Sequence, residues 1–128
     1  MKLLLDTHVL LWYLGGHSNL GVAQRQLIED RHNQVAVSVA SLWEMTIKIS
    51  IGKLTLMDDL VTIENTLLQQ GIHILPIQTA HLQCLHNLPL HHRDPFDRLI
   101  IAQALTEEMT LVSDDTAFSA YAVSLAGR

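Results

Sequence analysis

Four acidic residues stand beside local signals for strand ends and helix starts: Asp6, Glu44, Asp97 and Asp115. Asp6 closes the run Leu3, Leu4, Leu5, and Asp115 follows Thr110, Leu111, Val112, Ser113 by two positions. Glu44 and Asp97 fall in the first turns of two stretches whose remaining helical surface is largely apolar. An acid on an otherwise buried surface must be paired, protonated or bound to a metal. Carboxylates that converge without basic partners repel one another, and a hard divalent cation relieves that conflict. Oxygen-only ligation suits Mg²⁺ or Mn²⁺. Such a cation holds a scissile phosphate, lowers the pKa of a bound water and stabilises the leaving oxygen. The chemistry indicated is phosphodiester hydrolysis.

Taken singly, each acid has a plainer use. Asp6 or Thr7 can cap the helix that follows, Ser41-Leu42-Trp43-Glu44 has the spacing of a capping box, and Asp94-Pro95-Phe96-Asp97 is a close variant. Asp114-Asp115 can cap a last short helix. The joint reading rests on all four acids meeting the same kind of boundary.

The elements that must position them follow from periodicity. Leu3–Leu5 leaves no room for period-2 alternation and reads as a strand buried on both faces, of the kind found centrally in parallel sheets. A helix follows through Val9, Leu10, Trp12, Tyr13 and Leu14. Gly15-Gly16 punctuates, and Ser18-Asn19 is expected to open a second helix with Leu20, Ala23, Leu27 and Ile28 inside and Gln24 and Arg25 outside. Val35–Val37 is a second strand, and a long helix then runs to Gly52. Asp58 or Asp59 begins a fourth helix with Leu60, Ile63, Leu67 and Leu68 inward. Ile72–Ile77 reads as a third strand, Thr79–Leu88 as a short helix, and Asp94-Pro95 as the cap and first turn of a strongly apolar helix. Thr110–Ser113 is a fourth strand, Ala117–Tyr121 a short helix, and Ala122–Leu125 an edge strand. Strands alternating with helices indicate an α/β class with a mainly parallel sheet. If the sheet reverses its direction of growth between the first and fourth strands, Asp6 and Asp115 share the crevice where such folds bind ligands.

Composition excludes several classes. The chain of 128 residues suffices for one domain, expected to be 1–128 without repeat or linker. One cysteine, Cys84, excludes an internal disulfide and a four-cysteine zinc site, and fits a reducing cytoplasm. Asp6 interrupts the first apolar run too early for a secretory leader, and no apolar stretch is long enough for a bilayer. The net charge of −5 argues against coating nucleic acid by bulk electrostatics, but not against cutting it through a bound cation. Eight histidines match no zinc spacing. His91, His92 and Arg93 read as a polar loop, with His92, Arg93 and Arg98 as candidates to touch RNA phosphate. Cys84 reads as a small buried hydrophobe.

The segments LLLDTHVLLW, SVASLWEMTIKISIGKL, HHRDPFDRLIIAQAL and TLVSDDTAF together resemble a PIN-domain ribonuclease and, more narrowly, VapC-type toxins of bacterial toxin–antitoxin pairs. The resemblance runs from Met1 to about Tyr121, with the motifs in family order. It implies a three-layer α/β/α sandwich of strand order 3-2-1-4-5, and a Mg²⁺-dependent endoribonuclease with Mn²⁺ as substitute. It also implies a cognate antitoxin, and the apolar helices (Trp43, Ile47, Ile51 and Leu54 above all) suggest a homodimer. The family's metal-binding acids carry over to Asp6, Glu44, Asp97 and Asp115. Thr7 and Ser113 match supporting hydroxyl positions, serine replacing the commoner threonine at 113, and Asp94 is placed behind the ligands. The competing readings are a structure-specific DNA nuclease using the same acids, and a binding module with a degenerate site. A receiver-type phosphotransfer domain would want a lysine after a late strand, and none follows Lys53.

Overall fold

In the computed structural model, which describes residues 1–126, one parallel sheet organises the chain in the order β3-β2-β1-β4-β5. Its strands are β1 (Lys2–Leu5), β2 (Gln34–Ser38), β3 (His73–Leu75), β4 (Thr110–Val112) and β5 (Leu125–Ala126). The expected order is found, with Leu4 of β1 in register with Ala36 on one side and Leu111 on the other. Successive residues of β1 face opposite layers. Leu3 and Leu5 join Val35, Val37, Val9, Leu10, Met45, Ile63 and Leu67, whereas Leu4 joins Ala36, Leu111, Ile100, Ile101, Ala104 and Phe118. A strand buried on both faces must be apolar at every position, which explains the unbroken leucine run. Each buried leucine side chain contributes on the order of 2 kcal/mol, so β1 is anchored firmly enough to carry a buried carboxylate at its end.

The first layer is supplied by α1 (Thr7–Gly15), α2 (Val22–Glu29), α3 (Val39–Ser50) and α4 (Leu60–Gln69). The second comes from α6 (Pro95–Thr106), with α5 (Thr79–Asn87) packed on it and the 3₁₀ turn Thr116–Ala120 beside it. The growth reversal lies between β1 and β4. There the backbone N–H of Asp6 donates to the carbonyl of Val112 at 3.1 Å, joining the two strand ends that carry the acids. Among the described residues no helix is long and apolar enough to cross a membrane.

Several local expectations are corrected. Helix α2 begins at Val22, not at Ser18-Asn19, because Gly21 is its cap and the Gln24 side chain accepts from the Gly21 N–H at 3.1 Å. That hydrogen bond turns Gln24 inward, where it is 1% exposed, and leaves Ala23 outside. Helix α3 begins at Val39, with the Ser38 hydroxyl accepting from the Ala40 N–H at 3.0 Å. Ser41-Glu44 is therefore no capping box, and Glu44 lies in the second turn. The third strand is shorter than expected, Pro76 and Ile77 lying beyond it. Leu68 is half exposed, because the buried stripe of α4 runs only through Ile63 and Leu67. The edge strand begins at Leu125, three residues later than expected, and Cys84 is half-buried, not a core residue.

Candidate metal centre

Asp6 is the N-cap of α1, its Oδ1 accepting from the Val9 N–H at 2.8 Å. Its Oδ2 accepts from the Ser113 hydroxyl. Both carboxylate oxygens of Asp6 are thus engaged, one by the helix start and one by the strand end beside it. Burial pushes the Asp6 carboxyl above the usual aspartate range, against the pull of those two donors. Ser113 Oγ in turn accepts from the Asp115 N–H at 3.0 Å, so one hydroxyl ties the end of β1 to the turn after β4. Asp115 caps that turn through Ala117 N–H at 2.9 Å, as its spacing predicts.

Asp97 sits in the first turn of α6. Asp94, the cap of the same helix, accepts from the Phe96 N–H at 2.9 Å and the Asp97 N–H at 3.3 Å, and Pro95 occupies the first helical position. Burial and the neighbouring charges of Asp94, Glu44 and Asp6 push Asp97 up to about 7, with His92 acting in the opposite sense. The acids from β1, α3 and α6 therefore face one electrostatic environment, although they are far apart in sequence.

Glu44 is buried on α3. Its Oε2 lies 3.2 Å from Lys48 Nζ one helical turn on. Its Oε1 has no hydrogen-bond partner among the described residues. A buried carboxylate oxygen without a donor is costly unless a cation meets it. The expectation that the acids lack basic partners is thus corrected at three of them: Glu44 has Lys48, and Asp97 and Asp115 share His92, whose Nε2 lies 3.2 Å from Asp97 Oδ2 and 3.6 Å from Asp115 Oδ2. His92 Nε2, Asp97 and Asp115 offer atoms all within 4.8 Å of one another. Asp6, Asp114 and Asp115 also line, with His8 and Trp12, an open cavity of about 280 Å³.

The supporting residues divide differently from expectation. Ser113 touches Asp6 directly. Thr7 instead donates to the Ser41 hydroxyl at 2.9 Å, locking the start of α1 to α3 and so fixing Asp6 relative to Glu44. The Arg98 guanidinium is engaged by its own chain: it donates to the carbonyls of Pro89 at 3.0 Å, Leu88 at 3.3 Å and His92 at 3.5 Å, and to the Tyr121 hydroxyl at 3.4 Å. It is a clamp on the 88–92 loop. Tyr121 completes the clamp by accepting from the His91 and His92 N–H groups at 2.9 and 2.8 Å. Arg93 is exposed.

Two residues were not foreseen. Gln24 donates to Asp114 Oδ1 at 2.8 Å, linking α2 to the turn after β4, and a cap-compatible glycine three residues before a glutamine was the visible signal for its inward turn. Lys48 was legible as a partner from its i+4 spacing to Glu44. The acid set, with an orphaned buried oxygen and one carboxyl raised to about 7 by burial and neighbouring acids, fits a hard divalent cation.

A family model described as PIN domain matches residues 3–124. No curated protein matches the chain in sequence. Among solved structures, the fold resembles that of a chain in VapBC2 from Rickettsia felis bound to a DNA fragment from their promoter, with a TM-score of 0.75 and 16% identity over 98% of both chains. FitAcB from Neisseria gonorrhoeae aligns with a TM-score of 0.67 and 20% identity, covering 96% of this chain and 95% of that one. A toxin–antitoxin complex from Klebsiella pneumoniae aligns at 0.65 and 16%, covering 98% and 97%. At such identities these likenesses concern the fold alone, and the family follows from the sequence model spanning nearly the whole chain: the protein belongs to the PIN-domain family.

Proposed function

We propose that this chain is a VapC-type toxin, an endoribonuclease that hydrolyses RNA phosphodiester bonds with Mg²⁺ (Mn²⁺ as substitute) in the cytoplasm and is silenced by a cognate antitoxin. One observation carries the reading. Glu44 keeps a buried oxygen without a donor, and its charge is among those that, after burial, push Asp97 up to about 7; a cation between them would relieve both. Asp6, Glu44, Asp97 and Asp115 would hold the cation. When bound, it would supply Lewis-acid stabilisation of the phosphate and a more acidic water.

The chain's own residues do the rest. Ser113 holds Asp6 by one oxygen while the α1 N-terminus holds the other. Asp94 keeps the first turn of α6 rigid, so Asp97 is presented on a helix and not on a loop. Of the three residues nominated to meet RNA phosphate, Arg93 is the one whose side chain is exposed; His92 faces the acids and Arg98 grips its own loop. The likeness to toxin–antitoxin complexes supports an antitoxin partner, which would place a basic side chain among the acids. The test is RNA cleavage by the purified chain with Mg²⁺, with Mn²⁺ and in EDTA, beside Asp97→Asn. Cleavage that needs the cation and is lost in the folded variant is expected. Cleavage persisting in EDTA would exclude the mechanism, and preference for a DNA flap over RNA would favour a DNA nuclease.

A further inference from the structure

His92 is held from every side. Its ring lies over Phe118 with centroids 5.8 Å apart and planes 30° from parallel, and Phe118 is fully buried. The backbone of His92 is gripped on both sides of its Cα, its N–H by the Tyr121 hydroxyl and its carbonyl by Arg98. Most tellingly, His92 Nδ1 accepts from the Asp94 backbone N–H at 3.1 Å. A ring nitrogen that accepts carries no proton, so the ring proton sits on Nε2. Nε2 is also the atom placed 3.2 Å from Asp97 Oδ2 and 3.6 Å from Asp115 Oδ2.

Three ligand-type atoms within 4.8 Å of one another would ordinarily suggest a mixed nitrogen–oxygen metal site. The tautomer argues otherwise. Coordination through Nε2 needs a free lone pair there, which moves the proton to Nδ1 and sets it against the Asp94 N–H. That N–H belongs to the cap residue of α6 and cannot turn away without disturbing the helix start that carries Asp97. We propose that His92 is not a ligand but a positioning residue: its ring, packed on Phe118 and anchored at Nδ1, sets its Nε2 edge 3.2 Å from one oxygen of Asp97 and 3.6 Å from one of Asp115, and so leaves their other oxygens to form an all-oxygen cation site. Asp115 gains most, because its carboxylate is on an exposed turn and, among the described residues, is otherwise held by the Ala117 N–H alone. Partners of this kind behind the ligands typically affect metal affinity 10–100-fold.

The inference rests on the metal-site reading above, and the test separates the two. Mn²⁺ binding is followed by electron paramagnetic resonance on the wild type, His92→Ala and His92→Gln, with circular dichroism to confirm folding. Electron spin-echo modulation then reports whether any ¹⁴N nucleus is bonded to the Mn²⁺. Expected are a bound Mn²⁺ without directly coordinated nitrogen, affinity lowered roughly 10–100-fold in His92→Ala, and recovery in His92→Gln, whose amide N–H reaches a similar position. Imidazole nitrogen bonded to Mn²⁺ in the wild type would overturn the proposal while leaving the metal site standing. Unchanged affinity in folded His92→Ala would do the same. A wild type that binds no Mn²⁺ would overturn this inference and the metal reading together.

Discussion

Asp97 carries the heaviest electrostatic load at the residue scale. An aspartate whose ordinary value is 3.8 and whose folded value is about 7 binds its proton more tightly in the folded state. Its stabilising contribution is therefore full below about 3.8, and is lost as pH rises from there to about 7. The whole shift corresponds to at most about 4 kcal/mol, less whatever water at this partly open site relieves. Asp97→Asn removes the charge while keeping the shape. In EDTA the variant should melt above the wild type at pH 8, and by a clearly smaller margin at pH 5. An equal difference at both pH values would show that the burden on Asp97 is not electrostatic. Asp6 is raised for a different reason, burial, and its two donors hold it in place. Asp6→Asn should still accept from the Val9 N–H, and should shrink the stabilisation that added Mg²⁺ gives, since a ligand binding only the folded state stabilises by mass action.

The start of α6 is where site and scaffold coincide at the scale of elements. Asp94 caps the helix through two backbone N–H groups and also repels Asp97. Its two roles separate by substitution. Asp94→Ala loses the cap and should cost roughly 1 kcal/mol, whereas Asp94→Asn keeps the cap, removes the repulsion and should melt at or above the wild type in EDTA. Melting curves of both variants check this, and equal loss in both would mean that the charge of Asp94, not its capping geometry, matters to the fold. The same logic explains α3. Its N-terminus is set by Ser38, which frees Ser41 to receive Thr7 and brings Glu44 to the level of Asp6. An ordinary cap three residues earlier than expected thus decides where a site residue lies.

At the scale of the whole molecule, one face of α3 remains uncovered. Trp43 is 56% exposed and Ile51 58%, with Ile47 and Ile49 also at the surface. Trp43 meets Phe96 of α6 edge-on at 5.1 Å. Leu54, grouped with them in sequence, packs instead against the core. An apolar face of this kind suits a second copy of the chain. A homodimer is therefore proposed, and Trp43→Ser combined with Ile51→Ser should shift it to monomer without lowering the melting temperature of the subunit. Light scattering at micromolar concentration measures this, and a wild type that is monomeric there removes the dimer.

What the residues alone determined is local and periodic. The leucine run made β1 a two-faced strand, strand–helix alternation made the sheet parallel, and Asp94-Pro95 marked the start of α6; each depends on neighbours within a turn or two. The four acids were also legible, because caps and strand ends leave short-range signatures and the motif DPFD is distinctive. Tertiary structure decided the remainder. No spacing could show that Gln24 turns inward to Asp114, that Arg98 grips the carbonyls of Leu88 and Pro89, or that the Asp94 N–H sets the tautomer of His92. Those depend on which surfaces meet when the two layers close over the sheet. A polar side chain finds its partner only after apolar burial has chosen the packing, because a single hydrogen bond contributes about 1 kcal/mol and each buried leucine about twice that.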